Sequence, residues 1–236
     1  MHRLYNSQLQ PTIQWNKCSE CNHIFTEGYY TDEACGIIFS KTHDNQKVGA
    51  DIEKNRLISS RMVEKVLPYT SEGLWLDVGF GNGSLLFTAQ EYGFTPVGTD
   101  LRPDNVRMLN SLGVEAHQKN ITELELREEC SVISMADVLE HIPYPTESLL
   151  AASKLLRSGG VLLISMPNSE NILWETMNRQ NSNPYWGELE HYHNFSRTRL
   201  YSLLSEYGFK PRRYGISERY RVCMEVVAQK EDRVTA

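Results

Sequence analysis

Between residues 74 and 168 the chain alternates apolar runs with helical stretches, and this alternation constrains the fold more tightly than any other feature. The runs are LWLDVGF, TPVGTDL, SVISMADVL and VLLISMPN, with the weaker, strand-like VEAHQKN between the second and third. Between them lie SLLFTAQEYG, PDNVRMLNSLG, which has proline in its first turn and glycine at its end, and PTESLLAASKLLRSGG, closed by two glycines. Strands that are apolar on both faces need cover on both faces, so the pattern predicts βαβ units and a parallel sheet. IEKNRLISSRMVEKVL adds a helix before the first strand. Its stripe is Ile52, Leu57, Ile58, Met62, Val63, Val66 and Leu67, and Pro68 stops it. The tail, LYSLLSEYGFKPRRYGISERYRVCMEVVAQK, reads as a helix, a turn at Gly208 and two strands able to pair as a hairpin. The expected organisation is a doubly wound α/β domain over residues 51–236. A small irregular segment over 1–50 precedes it, where Gly28, Gly36 and Gly49 interrupt every pattern.

Composition sets the surroundings. The formal net charge of −6 argues against a broad basic surface for nucleic acid, and SRTRL and KPRRY read as solvated faces. No run approaches the roughly 18 apolar residues of a membrane helix. The first residues, MHRLYNSQLQPTIQWNK, lack the apolar core of a signal peptide. Five scattered cysteines do not make a disulfide framework, so the expected setting is the reduced cytoplasm.

The sharpest local feature is WLDVGFGNGSLL, which places Gly79, Gly81 and Gly83 where a strand hands over to a helix. Glycine there admits a ligand close to the backbone, next to the free N–H groups of a helix start. A dinucleotide fingerprint wants glycine at the sixth position, where this chain has Ser84, and Asp77 inside the loop would repel a pyrophosphate. A cationic ligand without phosphate, such as S-adenosylmethionine, suits the loop better. Asp100, at the end of the second strand, is placed to accept ribose hydroxyls in either case.

LDVGFGNG, VGTDL, ISMADVLEHI, LLRSGGVLLISMPN and EHYHNFSRTRLYSLLSEYGF together resemble class I S-adenosylmethionine-dependent methyltransferases. The nearest group contains ubiquinone-biosynthesis O-methyltransferases and sugar or natural-product methyltransferases. The resemblance covers roughly residues 55–230 and implies a Rossmann-like, seven-stranded, mostly parallel sheet with the last strand antiparallel. It implies that Asp77, Gly79 and Gly81 line the methionine end of the cofactor, that Asp100 holds the ribose and that Leu101 flanks the adenine. Asn120 stands where many members put an aspartate beside the adenine amine. Phe80, Asn82, Ile121 and Ala136 complete the implied cofactor set.

Methyl transfer needs the acceptor aligned and, for a hydroxyl, deprotonated. ADVLEHI places Asp137, Glu140 and His141 at the end of the fourth strand, beside the expected methyl group. GELEHYHNFSR adds Glu190, His191, Tyr192 and His193 where this fold grows a substrate lid, and in an extended segment His191 and His193 point the same way. These residues are candidates for a base or a substrate clamp, and equally for helix capping. Asp137, Glu140, His141 and His191 also form a mixed carboxylate and imidazole set suited to Mg²⁺, Mn²⁺ or Zn²⁺ against a substrate diol. That pattern resembles the metal-dependent small-RNA 2′-O-methyltransferases, although Asp137 replaces their first glutamate.

Cys18 and Cys21 have the spacing of a zinc knuckle, with His2, His23 and Cys35 as irregularly placed further ligands. Sugar C-methyltransferases of this group carry an N-terminal zinc ribbon, so residues 1–50 read as its degenerate remnant, packed over the cleft, with Tyr29 and Tyr30 towards the acceptor. Trp174, Met177, Tyr185 and Trp186 line a pocket for a ring-bearing substrate or pack as core. The expected activity is methylation of a small molecule at a hydroxyl. N- or C-methylation of a nucleotide-linked sugar is the alternative, and a catalytically silent binding subunit is the competitor from another class. No motif specifies an oligomeric state.

Overall fold

The computed structural model describes residues 14–31, 33–35, 44–125 and 129–231. The described residues begin with β1 (Trp15–Lys17) and β2 (Ile24–Thr26), and helix α1 (Ile52–Val66) precedes the third strand. Then come β3 (Gly73–Val78), α2 (Ser84–Glu91), β4 (Phe94–Thr99), α3 (Pro103–Ser111) and β5 (Glu115–His117). β6 (Cys130–Ala136), α4 (Pro145–Leu155), β7 (Leu156–Pro167) and α5 (Ile172–Arg179) continue the alternation. β8 (His193–Asn194), α6 (Arg197–Glu206), β9 (Phe209–Ile216) and β10 (Cys223–Lys230) close it.

Seven strands form one sheet in the order β5-β4-β3-β6-β7-β10-β9. β3 pairs in parallel with β4 and β6, β4 with β5, and β6 with β7. Only β10 runs against its neighbours β7 and β9, as the hairpin read in the tail requires. Strand order reverses at β3, which opens a crevice beyond the carboxyl ends of β3 and β6.

Each face of the sheet is covered. On one side Leu76, Ile133 and Ile164 pack under Leu149, Leu155, Leu200 and Leu204. On the other, Trp75, Val132 and Leu163 pack under Met62, Val63, Val66, Leu85 and Leu86. Each fully buried aliphatic side chain contributes roughly 1.5–3 kcal/mol. Ser59 and Ser84 bring α1 and α2 together, their hydroxyls 2.9 Å apart and buried.

The N-terminal segment is not irregular throughout. β1 and β2 form an antiparallel hairpin, and β2 adds β8, with Ile24 opposite Asn194 and Phe25 opposite His193. Strands of two and three residues are too short for alternation to register in a sequence. A second correction concerns LLRSGG. The helix ends at Leu155, and residues 156–160 belong to β7. Gly159 is left-handed at φ 68°, and a Cβ on Gly160 would lie 2.9 Å from the Arg157 carbonyl oxygen. The glycines therefore shape an irregularity where β7 slips register against β6, between Cys130 and Val132, instead of capping a helix. His2 and Gly36 lie outside the described residues.

Candidate active site

The loop after β3 is left-handed at all three glycines, with φ 66°, 56° and 79° at Gly79, Gly81 and Gly83. Gly79 donates its N–H to Thr99 O at 2.7 Å, and a Cβ there would meet Val138 Cγ2 at 2.9 Å. A Cβ built on Gly81 would meet only Gly79 O, at 3.9 Å, so there is room beside this glycine's Cα. A loop with one crowded glycine and one open one has both a tight turn and a cradle.

Asp100, at the end of β4, is nearly buried and ties the loop to its own turn. Its carboxylate accepts from Gly81 N–H at 3.3 Å, from Arg102 N–H at 2.9 Å and from Arg102 Nε at 2.8 Å. Arg102 goes on to donate to Gln46 Oε1 at 2.7 Å. Leu101 stands 52% exposed beside this carboxylate, an apolar surface at the end of β4.

Asp77 is fully buried, and Ser134 Oγ donates to its Oδ1 at 2.5 Å while Trp75 Nε1 donates to Ser134 Oγ at 2.8 Å. Burial pushes its carboxyl up to about 6, against the Ser134 hydrogen bond and the charge of Arg219, which favour ionisation.

The other members of the implied cofactor set divide. Ala136 ends β6 at the crevice, and Asn120 is exposed, its N–H donating to Glu123 Oε2 at 2.8 Å. Ile121 and Phe80 are core residues. Phe80 lies so close over Gly98 that a Cβ there would come within 2.5 Å of it. The Asn82 side chain turns away from the crevice to Ala50 O at 2.8 Å and Ser84 N–H at 3.1 Å. It pins the segment before α1 to the loop.

Beyond β6, Asp137 adopts φ 58° and its N–H donates to Ser165 O at 2.8 Å. Its Oδ1 accepts from Ser165 Oγ at 2.8 Å, and its Oδ2 lies 3.5 Å from Arg219 Nη1. The next turn, Leu139–His141, carries Glu140 into the interior, 1% exposed. Glu140, His141 and His191 offer ligand atoms that all lie within 4.8 Å of one another. The two imidazoles meet edge to face at 4.6 Å, and His141 Nδ1 donates to Glu190 O at 2.9 Å. Glu140 Oε2 and His191 Nδ1 are buried without a hydrogen-bond partner among the described residues. Burial, then the charge of Asp137, raises the Glu140 carboxyl well above the carboxylate range. Burial lowers both histidines, and at His141 the Glu190 carboxylate opposes that shift.

Asp137 is not part of this group of three, because Ser165 and Arg219 hold it. His193 is not part of it either. Its Nδ1 lies 3.1 Å from His23 Nε2 and its Nε2 donates to Pro143 O at 3.3 Å. The two histidines do not share a face, since His191 N–H closes a turn onto Glu188 O and the strand begins only at His193. Alternation does not govern a residue outside the strand.

Tyr185 stacks on Trp174 at 5.3 Å and faces His191 at 6.1 Å, and Trp186 packs on both Trp174 and Trp15. Met177 is half-buried on the same helix. Tyr29 packs on Tyr144 and Tyr192, and Tyr30 on Tyr192.

Cys18 and Cys21 sit in the turn between β1 and β2, where Cys18 N–H donates to His23 O at 2.8 Å and Asn22 N–H to Cys18 O at 3.0 Å. Backbone N–H groups of Cys21 and Glu20 lower the Cys18 thiol. His23 is turned to His193, and Cys35 Sγ lies 3.3 Å from Tyr192 OH. No third ligand joins the two thiols among the described residues. Arg102, Ser134, Ser165 and Arg219 had no motif to single them out. Only the fold brings them to the crevice.

The family described as methyltransferase domain matches residues 52–213. Ubiquinone biosynthesis O-methyltransferases of Pseudomonas entomophila and Nitrosococcus oceani are 33% and 35% identical over 101 residues. That stretch is 39% of this chain and 44% and 43% of theirs, so the match spans under half the length of these relatives. Among solved structures, the chain resembles the Burkholderia thailandensis 1,6-didemethyltoxoflavin-N1-methyltransferase, bound to 1,6-didemethyltoxoflavin and S-adenosylhomocysteine. The TM-score is 0.64 at 18% identity, covering 91% of this chain and 98% of that one. Magnesium protoporphyrin IX methyltransferase from Synechocystis PCC 6803, with bound S-adenosylhomocysteine, gives 0.59 at 15% identity over 87% and 90%. At these identities the structural likeness is one of fold.

Proposed function

This chain belongs to the methyltransferase domain family and is a class I S-adenosylmethionine-dependent methyltransferase, and from that premise we propose that it methylates a hydroxyl of a small-molecule acceptor. The observation that carries the reading is the trio of buried Glu140, half-buried His141 and buried His191, which holds two polar atoms without hydrogen-bond partners among the described residues. Buried polar atoms are ordinarily paired, so unpaired ones beside a cofactor loop fit an acceptor that arrives with its own donors.

The open cradle at Gly81 and the exposed Leu101 beside Asp100 fit the cofactor. Asp77 and Gly79 would face its cationic methionine end, and Asp100 its ribose. S-adenosylmethionine supplies an electrophilic methyl on a sulfonium. His141 is the base in this reading. Donating Nδ1–H to Glu190 O leaves the lone pair on Nε2, and burial keeps the ring neutral near pH 7. Glu140, held protonated by burial, donates to the acceptor, and His191 completes the clamp. Tyr185, stacked between Trp174 and His191, offers a wall for an aromatic acceptor. The β1–β2 hairpin covers that wall through Trp15.

A second reading comes from the same trio. One carboxylate and two imidazoles suit Zn²⁺ or Mn²⁺ better than Mg²⁺. Glu140, His141 and His191 would hold the ion, and it would polarise the oxygens of a diol. Asp137 would not ligate it. Cys18 and Cys21 supply two thiols of a knuckle that needs further ligands.

The test is transfer of label from methyl-labelled S-adenosylmethionine to a panel of phenols and catechols, with S-adenosylhomocysteine affinity measured in parallel. His141→Ala is expected to lower kcat by about 10²-fold with cofactor affinity retained, the range of a lost general base. Full activity in that variant removes His141 as base. Metal near one per chain that disappears in His141→Ala replaces the base with an ion. Methylation confined to nitrogen or carbon acceptors overturns the hydroxyl assignment.

A further inference from the structure

Residues 217–222 join β9 to β10, and β10 begins opposite the end of β7, with Cys223 across from Pro167. The loop therefore lies at the carboxyl edge of the sheet, beside β6 and β7 and across the crevice from Gly81 and Asp100. It is built from fixed contacts. Ser217 is fully buried, donates its N–H to Cys223 O at 2.9 Å and accepts from Arg219 N–H at 3.1 Å through Oγ. Glu218 donates its N–H to Glu225 Oε1 at 3.1 Å and pairs with Arg61 at 2.9 Å. Such a loop presents its one inward cation from a defined place.

That cation is Arg219. Among the described residues its guanidinium is held by the single 3.5 Å contact to Asp137 Oδ2, while the other Asp137 oxygen is occupied by Ser165. The Arg219 and Asp137 side chains are 30% and 18% exposed, so the pair opens to the crevice. An arginine aimed by one long contact keeps a planar fork for a two-pronged acid, which a fully engaged ion pair would not. Asp137 in turn stands three residues from Glu140, at the edge of the acceptor trio.

We propose that Arg219 reads an anionic group on the acceptor, a carboxylate or phosphate, which docks on its guanidinium while the hydroxyl faces His141. This rests on the reading that the acceptor sits against Glu140, His141 and His191, and it narrows the acceptor to hydroxy acids and phosphorylated alcohols or phenols. The other carboxylate able to reach the same fork is that of the cofactor's methionine.

The probes are 3,4-dihydroxybenzoate and catechol, which share their hydroxyls and differ by one carboxylate, titrated calorimetrically into the S-adenosylhomocysteine-loaded protein. Wild type is expected to bind the acid at least about tenfold tighter, the strength of one charge-assisted contact. Arg219→Gln is expected to erase that preference and Arg219→Lys to keep part of it, with S-adenosylhomocysteine affinity unchanged in both. Equal binding of the two probes by wild type, or a preference surviving in Arg219→Gln, overturns the proposal. So does a tenfold loss of S-adenosylhomocysteine affinity in Arg219→Gln, which makes the cofactor's carboxylate the ligand. Failure of wild type to bind S-adenosylhomocysteine refutes the methyltransferase site itself, a result distinct from all of these.

Discussion

At the scale of single residues, Asp77 shows the cost of burying a carboxyl. Its carboxyl titrates near 6 in the fold against 3.8 in the open chain, so the unfolded state loses its proton first. Stability therefore falls as pH rises from about 4 through 6, and the deficit above pH 6 amounts to about 3 kcal/mol at most. Asp77→Asn keeps an acceptor for Ser134 and removes that deficit. Chemical denaturation at pH 8 is expected to show a more stable protein, with the gain gone near pH 4, while S-adenosylmethionine affinity falls. The glycines divide in the same manner. Gly81→Ala, with room for its Cβ at φ 56°, is expected to cost about 1–2 kcal/mol of backbone strain. Its loss of S-adenosylhomocysteine affinity, read by calorimetry, exceeds what that strain explains. Gly79→Ala forces Val138 aside as well and destabilises the fold more.

At the scale of elements, the His23–His193 contact joins the β1–β2 hairpin to β8. His23 titrates near 4, lowered first by burial and then by His193, against 6.5 in the open chain. The unfolded or undocked hairpin binds more protons between those values. Stability from the neutral pair is present above about pH 6.5 and is lost as pH falls towards 4. Hydrogen-exchange protection factors over residues 14–26, rates corrected for the intrinsic slowing of exchange in acid, are expected to fall on acidification from pH 7 to 5, and His23→Ala to flatten that dependence. Uniform protection across this range removes the pair as the hairpin's anchor. The elements legible in the sequence were those long enough to carry a period. α1 from Ile52 and the strand at Trp75 emerge within a residue or two of their observed bounds. β1, β2 and β8 do not, because three residues cannot display an alternation. The site divides likewise. Asp77, Gly79, Gly81 and Asp100 follow one another along a strand–loop–helix–strand unit and announce themselves by spacing. Ser134 on β6 and Arg219 in the loop between β9 and β10 reach the crevice from parts of the chain distant in sequence, and His193 parts from His191 because a turn at Glu188–Glu190 resets the register.

At the scale of the molecule, one sheet is covered on both faces by α1–α3 and by α4 and α6, and the crevice lies where the strand order reverses. A ligand seated there touches the ends of β3, β4 and β6 together, so its binding free energy is felt by both hydrophobic layers. S-adenosylhomocysteine at a hundredfold excess over its Kd is expected to add about 2.7 kcal/mol. For a domain of this length that raises the melting temperature by roughly 5–10 °C, measurable by calorimetry. A shift confined to one spectroscopic probe would show instead that the layers unfold separately.

Residues 188–194 send His191 to Glu140 and His193 to His23, with one residue, Tyr192, between them. The chain thus uses a single short tether to hang two things at once, the Glu140–His141 cluster on one side and the N-terminal hairpin on the other. A lineage that reshaped the cover to admit a bulkier guest would drag His191, the neighbour of Glu140 and His141, with it. The half of the crevice built from the glycine loop and Asp100 would be left untouched. Under the proposed reading, change in what is methylated and constancy in what donates the methyl fall to opposite banks of the same crevice.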